Sequence, residues 1–321
     1  MTATRMRHVL VTGGAGLIGS HLCDALLARG SRVTCVDDFR SGSRRNLAAA
    51  IATGRLELVE QNVVDLVAAA DDIDAIFNLA CPASPPFYQR DPVGTLETCV
   101  LGAMRVFAAA NRLGVRVVHT STSEVYGDPL EHPQSEGYWG NVNPVGARAC
   151  YDEGKRCVEA LAASHARQHG LDVRVARIFN TYGPRMRSDD GRVVSNFVVD
   201  ALAGRPLTVY GDGSQTRSFC YVEDTVAGLI ALADAPRAGF EPINLGNPEE
   251  VSIGELARRV VELTGSRSPI IHRPLPEDDP HRRRPDVGRA AQRLGWKPTT
   301  PLDVGLSRTI RWLAEQRSAG D

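Results

Sequence analysis

The chain has 321 residues, enough for one large α/β unit or two domains. Its 43% hydrophobic content suits a globular protein with a sizeable core, and 37 basic against 38 acidic residues leave a net charge of −1, with no global field to draw nucleic acid or a membrane surface. Seven scattered cysteines form no CxxC and no metal-ligand spacing; with no secretory apolar stretch and no run near 18 apolar residues, they point to free thiols in a cytoplasmic protein without a metal.

His8 to Thr12 reads as a short buried strand, and a helix from Ser20 to about Arg29 stops at Gly30. Between them lies Gly13-Gly14-Ala15-Gly16-Leu17-Ile18-Gly19. Strand, GxxGxxG and helix together make a phosphate cradle, because the glycines permit a tight turn and bring backbone N–H groups close to a pyrophosphate. The next strand, Arg32 to Val36, ends in Asp37-Asp38, 18 positions beyond Gly19. A carboxylate there accepts from both hydroxyls of an adenosine ribose and repels a 2′-phosphate. The expected cofactor is NAD rather than NADP, even with Arg40, Arg44 and Arg45 following.

Leu56 to Val59 reads as a third strand, with Asn62-Val63 after it. A fourth, Ala75 to Leu79, runs into Ala80-Cys81-Pro82-Ala83-Ser84-Pro85, a proline-studded loop at the ligand-binding edge of a parallel sheet. Pro92 to Leu113 reads as a long helix with Val93, Leu96, Val100, Val106 and Phe107 among its apolar positions. The fifth strand, Val115 to Thr120, leads into Ser121-Thr122-Ser123-Glu124. Hydroxyls at that strand end can donate to an alkoxide or developing ketone, and the Glu124 carboxyl can handle a proton or hold a water.

A helix from Cys150 to about Gln168 carries Tyr151 and Lys155, four apart and so on one face. An ammonium near a phenol favours phenolate, so the Tyr151 pKa is expected to fall from about 10 toward working pH. Such a base takes a proton from an alcohol while a hydride leaves the same carbon. Asp172 to Ile178 is a sixth strand, followed by Phe179-Asn180-Thr181. Asp190 to Phe197 opens a helix, Leu207 to Tyr210 is a short strand, and Gly211 to Arg217 is a turn ending in a cation suited to a diphosphate. Tyr221 to Asp234 is a helix expected to pack on the first domain, and Ile243 to Asn247 another strand and turn. Ser252 to Thr264 has a capping box in Ser252 and Glu255, Asp278 to Asp286 is a basic run flanked by acids, and Leu302 to Gln316 is a closing helix.

The GxxGxxG spacing resembles that of the extended short-chain dehydrogenase/reductase superfamily. The run Ala80-Cys81-Pro82-Ala83-Ser84-Pro85-Pro86 and the twenty-residue string from Gly137 to Arg156 are similar to the UDP-glucuronate decarboxylases (UDP-xylose synthases). The resemblance spans Val9 to about Trp312. It implies an α/β fold: a Rossmann-type doubly wound parallel sheet over residues 1–180, with 214–240 returning to it. A smaller C-terminal α/β substrate domain takes 181–213 and 241–316, and 317–321 is a disordered tail.

The resemblance implies NAD contacts at Gly13, Gly16, Leu17, Ile18, Asp37, Asp38, Phe39, Ser41, Gly42, Asn62, Val63, Leu79, Cys81, Thr98, Thr120, Tyr151, Lys155, Thr181 and Arg192. For the UDP-sugar it implies Pro82, Ser84, Thr122, Glu124, Tyr151, Asn180, Arg192, Asn196, Val209, Tyr210, Gln215, Arg217 and Arg283, with the backbone at Val209-Tyr210 reading uracil. Tyr151, Lys155, Thr122, Glu124 and Arg283 are the implied catalytic set, Arg283 stabilising charge or orienting a water rather than acting as an acid. Two positions depart from the family pattern: Glu97 stands where a lysine is common, and Asn62 where an aspartate usually meets the adenine. The implied reaction oxidises C4 of the glucuronate ring, releases CO2 and returns the hydride to give UDP-xylose, with some UDP-4-keto-xylose leaving early. The alternatives are a UDP-glucuronate 4-epimerase and, more remotely, a non-catalytic NAD-sensing regulator. Family geometry implies a homodimer in which Pro92–Leu113 and Cys150–Gln168 pair into a four-helix interface.

Overall fold

The computed structural model describes residues 6–66, 70–237, 239–274 and 282–318. Strands β1 (His8–Thr12), β2 (Arg32–Asp37) and β3 (Leu56–Glu60) alternate with helices α1 (Leu17–Ala28) and α2 (Ala48–Ala52). Then come β4 (Ala75–Asn78), α3 (Pro85–Arg90), α4 (Pro92–Leu113), β5 (Arg116–Thr122), α5 (Ala149–His169) and β6 (Val173–Ile178). The remainder is β7 (Thr181–Tyr182), α6 (Val193–Leu202), β8 (Leu207–Tyr210), β9 (Thr216–Ser218), β10 (Cys220–Tyr221) and α7 (Val222–Asp234), followed by β11 (Ile243–Leu245), β12 (Glu250–Ser252), α8 (Ile253–Thr264), β13 (Ile270–Arg273), β14 (Arg282–Arg283), α9 (Gly288–Leu294) and α10 (Leu302–Ser318).

Seven strands form one parallel sheet in the order β11-β6-β5-β4-β1-β2-β3. β1 and β4 are buried along their whole length and β6 over its first four residues, as strands covered on both faces must be. One face packs on α1 and α7, the other on α4 and α5. The strand order reverses between β1 and β4, the switch point where doubly wound sheets open a crevice. Gly13 sits at that point with φ 69°, and a Cβ on it would stand 2.7 Å from the Ala80 backbone N, so only glycine lets the two strand ends approach.

The smaller unit is built on the three-stranded β12-β9-β14 and the parallel pair β13-β8, with α6, α8 and α10 packed together against them. β11 and α9 do not belong to it. The boundary expected at residue 241 falls inside the large sheet, because Ile243–Leu245 pairs with Ala176–Ile178 and α9 packs on β11 and α7. The last helix runs to Ser318, two residues into the expected tail, and 319–321 lie outside the described residues, as does the 278–281 part of the basic run.

The proline-studded segment is not all loop. Ser84 is the N-cap of α3, with Pro85 and Pro86 opening the helix, where a missing N–H is not needed. At Ser252 the side chain accepts from Glu255 N–H at 3.1 Å, but Glu255 turns to Arg258 and Arg259 rather than back to the cap, so only half the capping box forms. α4 is held at both ends, by Asp91 accepting from Gly94 N–H at 3.0 Å and by Gly114 in the left-handed region at φ 67°. By length and mean hydropathy α4 is apolar enough to cross a bilayer, although Glu97, Arg105 and Arg112 interrupt its apolar residues, and half of the qualifying stretch is buried inside the protein. Val93, Leu96, Leu101 and Met104 on its outer side remain exposed.

Candidate active site

A cavity of about 820 Å³ runs along the carboxyl ends of β1, β2, β4, β5 and β6 and continues under the smaller unit. All the sequence-predicted site residues line it except Phe39 and Val209. The Phe39 ring lies under the Arg44 guanidinium, 5.1 Å away, and only its N–H turns toward the site, donating to Asp37 at 2.8 Å. Val209 is wholly buried in the core, because alternation along β8 sends its side chain inward and leaves its neighbour Tyr210 at the cavity. Glu97 is exposed on α4 and does not line the cavity. Asn62 does line it, its Oδ1 accepting from Val64 N–H at 3.0 Å.

At the β1–β2 end the residues fit a dinucleotide. Asp37 accepts from the N–H groups of Ala15 and Phe39, each at 2.8 Å on a different oxygen, so each oxygen keeps acceptor capacity for a ribose hydroxyl. A Cβ at Gly42 would stand 2.9 Å from Asp37 Oδ1, so that glycine keeps the approach to the carboxylate open. Burial raises the Asp37 pKa while the two N–H groups oppose the rise. NADP is expected to bind on the order of 100-fold more weakly than NAD, because its 2′-phosphate would meet Asp37 and Asp38. Competitive titration of the two dinucleotides measures the ratio.

At the β5–β6 end, Tyr151 and Lys155 are both buried on α5. The Lys155 ammonium donates to Thr120 C=O at 2.8 Å and lies 5.8 Å from the Tyr151 ring centre. The expected fall in the phenol pKa does not appear. Burial pushes the Tyr151 phenol up, Cys81 adds to the rise, and the Thr122 hydroxyl opposes it. Desolvation outweighs an ammonium already turned to a carbonyl.

Thr122 ends β5, its Oγ1 accepting from Glu124 N–H at 3.2 Å. Glu124 is clamped between two arginines: Oε2 takes Arg148 Nη2 at 2.6 Å, and Oε1 is paired with Arg283 Nη1. Burial would raise this carboxyl, but Arg283 and then Arg148 hold it below the usual value. Glu124 is therefore an ionised acceptor, not an acid. Arg283 arrives on β14, whose pairing with β9 sets it beside Arg217. Arg192, gripped by both oxygens of Asp190 at 2.5 and 2.9 Å, adds a cation near Tyr151.

Three residues of this cluster escaped the sequence reading. Tyr88 on α3 stacks flat on Tyr151, ring centres 5.2 Å apart and planes 3° from parallel. Arg148 completes the clamp on Glu124. Asp152 lies beside Arg148 (Oδ2 to Nε 3.9 Å) with a buried Oδ1 that has no hydrogen-bond partner. The only signal for the last two was their place in the Gly137–Arg156 string. Tyr88 Oη and Arg283 Nε are likewise buried without a partner, fitting a site meant for a polar molecule.

Burial, then Glu124, raises the Asp152 carboxyl from 3.8 to about 7, with Arg148 and Arg283 opposing. A raised carboxyl keeps its proton in the folded state after the unfolded chain has lost it, so its contribution to stability is lost as pH rises from about 4 to about 7. Asp152→Asn is expected to match the parent near pH 3 and to be more stable near pH 8.5, by on the order of 4 kcal/mol. Denaturant unfolding at the two pH values measures it.

The family model described as "NAD dependent epimerase/dehydratase family" matches residues 9–246. The chain belongs to that family. Among members of this epimerase/dehydratase family, "UDP-glucuronic acid decarboxylase 1" of Arabidopsis thaliana is 51% identical over 302 residues, covering 94% of this chain and 68% of the relative. The Danio rerio protein of the same name is 50% identical over 310 residues, covering 97% and 73%. Among solved structures, UDP-glucuronic acid 4-epimerase from Bacillus cereus, in complex with UDP-glucuronic acid and NAD, superposes with a TM-score of 0.86 at 25% identity, covering 97% of this chain and 99% of that one. The cofactor of this epimerase/dehydratase chain is NAD, in keeping with the fit at Asp37.

Proposed function

We propose that this protein decarboxylates UDP-glucuronate to UDP-xylose, with NAD regenerated in each cycle. The observation that carries the reading is the buried Glu124–Arg148–Arg283 clamp beside Thr122 and Tyr151, in a chain half identical to proteins named UDP-glucuronic acid decarboxylase.

Bound NAD supplies the hydride acceptor for C4 and the same hydride for the return. Tyr151 takes the proton of the 4-hydroxyl, and Thr122 donates to the oxygen as it becomes a ketone. Lys155 lies beside the tyrosine ring and, with the positive charge that bound NAD would bring, offsets the burial that raises the phenol in the free protein, so that it can take the proton. A 4-ketone is β to the C5 carboxylate, so the C–CO2 bond breaks with its electron pair delocalised onto the ketone oxygen. Thr122 and Tyr151 stabilise that enolate oxygen. C5 is then protonated by a water that Glu124 holds as acceptor and Arg283 orients, and the hydroxide left behind is reprotonated from solvent. Arg217, Gln215 and Asn180 face the diphosphate, and Tyr210 the uracil end.

The second reading, UDP-glucuronate 4-epimerase, rests on the Bacillus cereus neighbour. It requires the same oxidation but a pocket that keeps the carboxylate attached while the ketone turns over. Incubation with UDP-glucuronate and mass spectrometry of the nucleotide sugar separates them: decarboxylation removes about 44 mass units and epimerisation none. A product of unchanged mass would defeat the first reading.

The reading extends to a cytoplasmic homodimer. Val93, Leu96, Leu101 and Met104 form an exposed apolar stripe on α4, beside α5. Packing this stripe on its counterpart in a second copy makes a four-helix interface and buries what a lone chain leaves wet. The parent is expected to scatter light as a dimer at micromolar concentration, and Leu101→Asp with Met104→Asp as a monomer.

A further inference from the structure

Cys81 and Cys99 meet behind the cofactor cavity. Cys81 leaves the end of β4 and lines the cavity wall, and Cys99 sits on the inner face of α4, almost fully buried. Their sulfurs are 2.9 Å apart and share a hydrogen bond. The Lys155 ammonium acts on both. Burial would raise the Cys81 thiol, but the Cys99 hydrogen bond and Lys155 hold it below the usual thiol value, whereas Cys99 is raised, chiefly by its hydrogen bond with Cys81. One sulfur is thus favoured as thiolate, is reachable from the cavity, and has a second thiol in contact. The proposed reaction uses neither sulfur. Cys23 and Cys35 also neighbour one another, but both are wholly buried, and Cys157 is exposed on α5.

We propose that Cys81 and Cys99 are a peroxide-oxidisable dithiol that closes into a disulfide on the wall of the cofactor cavity and slows the enzyme. The Cys81 thiolate attacks one peroxide oxygen; the S–O bond forms, the O–O bond breaks, and the departing hydroxide takes a proton to become water. The Cys99 sulfur then attacks the sulfenic sulfur; the S–S bond forms, the S–O bond breaks, and the hydroxyl leaves as water with the Cys99 proton. In sum, two thiols lose two electrons and one hydrogen peroxide becomes two waters. Closing from 2.9 Å to a bond of about 2.05 Å asks each sulfur for a small displacement. The bridge would tie the segment between β4 and α3 to α4 beside Lys155, stiffening the wall of the cavity in which the cofactor turns over.

The test treats the full-length protein, with NAD bound, with a small excess of hydrogen peroxide, then digests it without reductant. The expected result is a peptide pair joined through Cys81 and Cys99, 2 mass units below the two free thiols, with at least a fivefold fall in turnover. Dithiothreitol should reverse both. Cys99→Ser should keep the basal turnover, form no linked pair, and accumulate a Cys81 sulfenic acid that dimedone traps. Oxidation confined to Cys157, or linkage of Cys23 to Cys35 in place of this pair, overturns the proposal. A linked pair with unchanged turnover overturns its regulatory half. The mass readout needs no sugar nucleotide, so it stands apart from the identity of the substrate.

Discussion

Tyr151→Phe is expected to lower turnover of UDP-glucuronate by about 10³-fold while leaving the melting temperature within a degree or two. The change removes one oxygen. The ring stays, and with it the parallel stack on Tyr88 that fixes its orientation. The phenol is buried and its pKa is raised, so its loss takes away no ionised group in the free protein. Substrate affinity should change little, because the phenol does its work as the 4-hydroxyl gives up its proton. Thr122 remains to hold the oxygen but cannot accept that proton at neutral pH. Stopped turnover with retained NAD and an unchanged melt is the signature of a lost base. Full turnover in this variant would show that Tyr151 is not the base.

Glu124→Ala should have the largest effect on stability of any change in the site. It leaves Arg148 and Arg283 facing each other without their shared anion, and Arg283 is almost wholly buried. Breaking a buried pair from one side costs about 3–5 kcal/mol, because the partner's charge stays behind unpaired. In a chain of this size that lowers the melting temperature by on the order of 10 °C. Turnover should fall at least about 100-fold, since C5 protonation loses its organiser. Glu124→Gln should keep part of the stability and little of the turnover. The sign with pH follows from the depressed carboxyl. Its stabilising contribution is present above the unfolded value of 4.5 and is lost as pH falls through the lower folded value. The parent and Glu124→Ala should therefore converge in stability in acid, which urea unfolding at pH 7 and about pH 3 measures.

Features that depend on nearby residues were legible in the sequence. The glycine turn, the carboxylate at the end of β2 and the Tyr151–Lys155 spacing are each written in a few consecutive residues, and the structure puts them all on one cavity. Features that depend on distant residues were not. The clamp joins positions 124, 148 and 283, and nothing in any one segment says that an arginine will meet that glutamate. Tyr88 was hidden because three prolines between Pro82 and Pro86 read as loop, although two of them open a helix. The Tyr151 pKa was expected in the wrong direction because desolvation is a property of the packed molecule, while the Lys155 charge could be counted from the chain. The domain boundary at 241 was misplaced because a three-residue strand carries no mark of which sheet will take it.

That last strand has a bearing on how the chain is made. β11 closes the open side of β6, yet it is synthesised after β7 to β10 and α7, some 65 residues beyond β6 itself. A nascent chain that has emerged only as far as α7 presents β6 with one row of peptide groups unmatched, the kind of rim that recruits foreign strands. A chain ending after α7, near residue 236, should aggregate more than one extended past Leu245.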